Sequence, residues 1–141
     1  MNKPACSRPA IQLLRTAHAL ESRLEEGLAP LGLSVAKFGV LANLAAAGEP
    51  LPLRALAERA ACVRSNITQL IDRLEADRLV LRAPDPVDRR SIRAELTEEG
   101  RARYEKGLEA LQQAESAVFA HMAPRDVESL VAMLESLRNA G

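Results

Sequence analysis

Arg64, Ser65, Asn66, Thr68, Gln69 and Arg73 crowd into one short window of the chain, and their side chains carry the hydrogen-bonding groups that read a base-pair edge. In the major groove of duplex DNA, arginine binds guanine through two hydrogen bonds, and asparagine or glutamine does the same with adenine. Arg64, Asn66 and Gln69 are therefore the candidates for base contacts. Ser65 and Thr68 suit phosphate oxygens near a helix start, and Arg73, further along, suits the DNA backbone. A second cluster follows in Asp85-Pro86-Val87-Asp88-Arg89-Arg90, where paired arginines stand at the end of a turn. A guanidinium on such a tip can enter the narrow, electronegative minor groove, with Asp88 orienting the arginine or bracing the loop. Either cluster alone is also what a solvated helix face or a charged surface turn would show. Their succession is what makes the pattern specific.

For these groups to act together, Arg64 to Ala76 must be a helix. Ile67, Leu70, Ile71 and Leu74 recur at helical spacing and face inward, leaving the polar set on or beside the outer face. Upstream, Arg54 to Ala60 forms a short helix joined to it by a tight turn at Ala61 and Cys62. Downstream, Leu79 to Ala83 is an apolar run ending at Pro84, and Ser91 to Leu96 alternates Ile92, Ala94 and Leu96 against Arg93 and Glu95. That alternation marks a half-buried strand, so Pro84 to Arg90 is the loop of a two-stranded hairpin. Helix, turn, helix and hairpin in this order is the plan of a winged helix-turn-helix.

The flanks predict further helices. Apolar residues recur every three or four positions from Ile11 to Leu31, fading at Pro30 and Gly32. Ser34 is an N-cap for a helix carrying Phe38, Leu41, Leu44 and Ala45, which must stop before Gly48, and Pro50 and Pro52 keep the following link extended. Thr97, followed by Glu98 and Glu99, opens a long helix with the stripe Tyr104, Leu108, Leu111, Val118 and Met122. Pro124 starts a last helix with Val127, Leu130, Val131, Leu134 and Leu137. These terminal stripes are longer than a small winged-helix core can cover, which predicts a homodimer whose helices from both chain ends interlock. Two reading helices then match a palindromic operator with half-sites about one helical turn apart. The expected fold is a single domain over 1–141, mainly α with a small β-hairpin wing. Dimerisation helices span about 11–31 and 98–139, and the DNA-binding lobe about 34–97.

At 141 residues and 48% hydrophobic, the chain suffices for one domain with its own core. Net charge is zero but unevenly spread. Residues 1–58 hold six basic and five acidic side chains, 59–93 hold eight and five, and 94–141 hold five and nine. All eight basic residues of the middle segment are arginine, which suits forked contacts to phosphate and guanine. The 2% aromatic content argues against a single-stranded nucleic-acid binder, which needs stacking platforms. Cys6 and Cys62 are too few for a disulfide scaffold and complete no zinc spacing. His18 and His121 are far apart, without a glycine-rich phosphate loop or a nucleophile set nearby. No enzyme activity, cofactor or metal is therefore expected. No run approaches the roughly eighteen apolar residues of a membrane span, and Met1 to Ala10 resembles no signal peptide, so a cytoplasmic protein is expected.

Over nearly its full length the chain resembles the MarR family of bacterial transcription regulators. The resemblance rests on Leu56-Ala57-Glu58-Arg59, on Arg64 through Glu75, and on Asp88-Arg89-Arg90-Ser91 followed by Leu96-Thr97-Glu98-Glu99-Gly100. It implies a dimeric winged-helix protein in which the helix starting near Arg64 enters the major groove and Arg90 reaches the minor groove. It also implies that ligand binding or cysteine oxidation, between the dimer helices and the DNA-binding lobes, releases the operator. The chain departs from the family pattern at Arg78, where glycine is usual after the recognition helix, and at Val63, where a capping Ser or Thr is common. It also has few aromatics for an effector pocket, only Phe38, Tyr104 and Phe119.

Two kinds of signal follow from these residues. Arg15 and His18, with the aromatic Phe38, are candidates for holding a small acidic or phenolic effector. Cys6 lies roughly where the peroxide-sensing branch of the family keeps its reactive cysteine, although no tyrosine precedes Tyr104 to hold a thiolate. Cys62 falls where the family places an apolar packing residue. The competing functional class is a winged-helix protein-interaction module without DNA binding, in keeping with the zero net charge. Salt dependence separates the two, since phosphate contacts release counterions and an apolar interface does not.

Overall fold

A computed structural model describes residues 8–60 and 64–141, with side chains from Asn66 onward in the second span. Cys6, Cys62, Val63 and the side chains of Arg64 and Ser65 lie outside the described residues. The elements are helices α1 (Pro9–Leu28), α2 (Val35–Ala47), α3 (Leu53–Arg59), α4 (Arg64–Ala76), α5 (Glu98–Phe119) and α6 (Pro124–Asn139), and strands β1 (Leu51–Pro52), β2 (Val80–Pro84) and β3 (Ile92–Leu96).

Local signals set most boundaries. The Ser34 hydroxyl accepts from the Lys37 amide at 3.1 Å, and the Thr97 hydroxyl accepts from the Gly100 amide at 2.9 Å, so both expected N-caps are made. Pro124 occupies the first turn of α6, where its missing N–H costs nothing. The first helix begins at Pro9, two residues before the apolar stripe, because proline is pre-set for a first turn. It closes at Leu28 and passes into a 3-10 turn, Ala29–Leu31, where Pro30 cannot donate to the α-helical ladder. α5 ends at Phe119, so Met122 falls in the turn before α6 rather than on the stripe.

The sheet has three strands rather than the two of the expected hairpin, in the order β1-β3-β2, all antiparallel. Leu51 pairs with Ala94, and Arg82 pairs with Ala94 from the other side. The segment between Pro50 and Pro52 is extended as expected, and Leu51 thereby becomes an edge strand. An edge tolerates the flanking prolines because a ladder on one side only needs few amides.

The core lies where the helix-turn-helix meets this sheet. Leu28, Leu41, Leu56, Ile67, Ile71, Leu74, Leu79 and Val80 are all completely buried. α5 runs past it at close range on two glycines. A methyl at Gly107 would stand 2.9 Å from the Phe38 ring, and one at Gly100 only 2.0 Å from the Leu79 carbonyl oxygen. Phe38 itself stacks on Tyr104 with ring centroids 5.5 Å apart.

Arg78 occupies the left-handed position after α4, at φ 60°. The Arg78 amide donates to Glu75 O and the Leu79 amide to Leu74 O, both at 2.9 Å, which is the complete double bond of a Schellman cap. A side chain with a Cβ is disfavoured in this conformation by about 1–2 kcal/mol. Arg78→Gly is therefore expected to raise the unfolding free energy by about 1 kcal/mol, after subtraction of the extra freedom glycine gains in the unfolded chain. Urea denaturation of the two proteins checks this, and a loss of stability would mean the guanidinium holds the turn in another way.

The chain ends form a second layer. α6 buries none of its residues within the protomer. Leu130 and Leu134 look across a cleft of about 460 Å³ at Leu13 and Leu20 of α1 and at Phe119 of α5. Beside it, Leu14 is 67% exposed and Leu137 62%. No single helix among the described residues is long and apolar enough to cross a membrane.

Candidate nucleic-acid interface

The site is built on α4, whose inner face is fixed before its outer face is considered. Ile67, Ile71 and Leu74 are fully buried against the core, which sets the helix's rotation about its axis. Asn66, Thr68, Gln69 and Arg73 are consequently exposed, as the spacing predicts, and the α4 backbone begins at Arg64.

Beyond the shared apolar core, Arg82 of β2 ties the hairpin to this helix through polar contacts. Its Nη2 donates to Asp72 Oδ1, its Nη1 to Glu75 Oε1 at 3.3 Å, and its backbone amide to Glu75 Oε2 at 3.2 Å. Three donors from one strand residue thus meet two carboxylates one turn apart on α4. The pairs are part-exposed, so their contribution to stability is modest, but their geometry fixes the angle between strand and helix. Sequence reading did not single out Arg82. The only local signal is the spacing of Asp72 and Glu75, which places both carboxylates on one side of the helix.

The wing loop is held from within by two aspartates. Asp85 Oδ1 accepts from the amides of Val87 at 2.8 Å and Asp88 at 3.2 Å, and Asp85 Oδ2 accepts from Arg93 Nε at 3.2 Å. Asp88 Oδ1 accepts from the Arg90 amide at 3.0 Å, and Asp88 O from the Ser91 amide at 3.0 Å. Asp88 thus braces the loop through the backbone of Arg90. The side chains of Arg89 and Arg90 are exposed and, among the described residues, make no ion pair. Both guanidiniums remain available to an anionic partner.

The amides of Val87 and Asp88 hold the Asp85 carboxyl below its ordinary value of 3.8, outweighing the opposing cost of partial burial, and the charge of Arg93 adds to them. A carboxylate with a lowered folded pKa stabilises the loop above its unfolded pKa and loses that contribution as pH falls through the lowered value. Amide exchange at Val87 and Asp88 should therefore stay protected as acid is added to the ordinary aspartate range and rise only below it. Asp85→Asn should show weaker protection at neutral pH and no such acid step; an unchanged profile in that variant would sink the assignment.

Between α4 and the wing lies an open cleft of about 450 Å³, with Thr68 on one wall and Arg90 and Ser91 on the other. The remaining candidates lie elsewhere. Arg15 and His18 are exposed on the first half of α1, whereas Phe38 is half-buried on α2 under Tyr104 and against Gly107. The structure does not gather the three around one cleft.

An exposed polar side of α4 thus stands beside a braced, arginine-tipped wing. A sequence profile of the MarR family matches residues 31–91. The HTH-type transcriptional regulator YkoM of Bacillus subtilis is 31% identical over 120 residues, spanning 84% of this chain and 73% of its own. The chain belongs to the MarR family. The HTH-type transcriptional repressor YetL of the same organism is 36% identical over 115 residues, 81% of this chain and 69% of its own. A MarR-family transcriptional regulator from Rhodococcus sp. RHA1 superposes with a TM-score of 0.88 at 26% identity, covering 96% of both chains. The sequence resemblance and the winged-helix fold are thereby both established. The relatives it matches are transcription regulators.

Proposed function

We propose that the protein is a homodimeric transcriptional repressor that binds a palindromic operator in duplex DNA and is released from it by a small acidic or phenolic effector. One feature carries this reading: Thr68 on the exposed polar side of α4 and Arg90 of the wing, which makes no ion pair among the described residues, line one cleft, and Arg82 ties the hairpin to that helix. α4 enters the major groove, where Arg64, Asn66 and Gln69 reach base edges while Ser65, Thr68 and Arg73 meet the backbone. Arg90, with Arg89 beside it and its own backbone braced by Asp88, reaches the minor groove. The apolar faces of α1 and α6, left open in the protomer, are covered by the same helices of a second copy. Arg15 and His18 on α1 provide positive charge for an acidic effector, whose binding changes the spacing of the two lobes. The protein acts in the cytoplasm and carries out no catalysis.

Fluorescence anisotropy on duplexes tiled across the DNA flanking its own gene, at two salt concentrations, tests the reading. Tight binding to one tile at one dimer per duplex, falling steeply with salt and reversed by salicylate-class acids, is the expected result. Uniformly weak binding that ignores salt would overturn it and leave the winged helix as a protein-interaction module.

A further inference from the structure

The cleft between α4 and the wing is lined by a second basic side chain besides Arg90. Arg54, the second residue of α3, is exposed and makes no ion pair among the described residues. It lines the cleft together with Arg90 and the apolar side chains of Leu53 and Ile92. Asp88 also lines the cleft, but its Oδ1 is engaged by the Arg90 amide, and two guanidiniums oppose that one carboxylate. The geometry of a duplex says what must pass here. If α4 lies in a major groove and the wing in the adjacent minor groove, the sugar-phosphate strand dividing those grooves runs between them. No other path joins the two contacts.

We infer that this cleft seats the dividing strand, with Arg54 clamping one of its phosphates and the apolar side chains of Leu53 and Ile92 meeting its deoxyribose. The inference rests on the operator-binding reading above and assigns a residue and a ligand group which that reading leaves open. Arginine suits the task because its planar fork meets two phosphate oxygens at once. A phosphate contact carries no sequence information, so Arg54 sets register and affinity rather than base preference.

The test uses the tile bound by the wild-type protein, with single neutral methylphosphonate linkages walked along each strand. Wild type is expected to lose about tenfold in affinity at one linkage between the recognition half-site and the wing's minor groove. Arg54→Gln should bind the unmodified duplex about tenfold more weakly per half-site, with a salt slope smaller by roughly one, and should show no drop at that linkage. Arg54→Lys, which keeps the charge, should retain the drop. The side chain is exposed, so thermal melting should be the same in all three proteins. If wild type binds in a salt-sensitive manner but Arg54→Gln keeps the same linkage profile, the Arg54 clamp is wrong and the operator reading stands. If wild type itself shows no salt-sensitive duplex binding, both fall together.

Discussion

Arg90→Ala is expected to weaken operator binding by about a hundredfold or more while leaving the melting temperature unchanged. The two halves of this expectation come from different atoms of one residue. The loop is held by the Arg90 amide, which donates to Asp88 Oδ1, and alanine keeps that bond. The guanidinium makes no ion pair among the described residues and is exposed at the wing, so its loss is expected to be felt when a partner is bound. A hydrogen bond to a charged group contributes about 1.5–3 kcal/mol, or roughly tenfold to a hundredfold, and a dimer on a palindrome engages two wings. Anisotropy titration at fixed salt, alongside circular-dichroism melting at fixed protomer concentration, checks both halves. Affinity within about twofold of wild type would remove Arg90 from the interface.

Gly100→Ala is expected to be the most damaging single methyl in the lobe, costing about 3 kcal/mol and roughly 10 °C in melting temperature. The added carbon would lie 2.0 Å from the Leu79 carbonyl oxygen and 2.9 Å from a Leu96 methyl. A flexible side chain could move aside, but this carbonyl is pinned. It accepts from the Thr97 amide at 3.1 Å and lies 3.1 Å from the Thr97 hydroxyl, while Leu79 itself is completely buried. Relief would require the start of α5 to separate from the end of α4, loosening the cap at Thr97 and the strand that follows Leu79. Urea unfolding should show a lower midpoint with an unchanged slope. A cost below about 1 kcal/mol would mean α5 can slide without disturbing the wing.

What the sequence made legible was what neighbouring residues decide. The periodicity of Ile67, Ile71 and Leu74 gave α4 and its polar face, and Ser34 and Thr97 announced caps that are both made. Asp88 as a loop brace was legible because its partner is two residues away. Arg78, in the family's glycine position, indeed adopts the left-handed turn. The rest depends on segments meeting at a distance. β1 is only Leu51 and Pro52, too short for any alternation, and exists because these residues meet Ala94 and Arg93. Arg82 reaches Asp72 and Glu75 across a turn whose path no spacing reveals. Arg54 became a candidate only when α3 and the wing were seen to share a cleft. The stacking of Phe38 on Tyr104 likewise joins two helices far apart in the chain.

The attachment of Arg82 to both carboxylates of α4 has a consequence for what kind of ruler the protein is. On the operator-binding reading proposed above, a wing braced internally by Asp85 and tied to the helix by Arg82 acts as a caliper whose gap resists change. A duplex that presents the right bases but is locally overtwisted or carries a wide minor groove must then be deformed to fit, and stiff steps resist that deformation. Sequence far from any contacted base would in this way be weighed by its mechanical compliance, so two operators with identical half-sites and different spacers need not be equal in the cell.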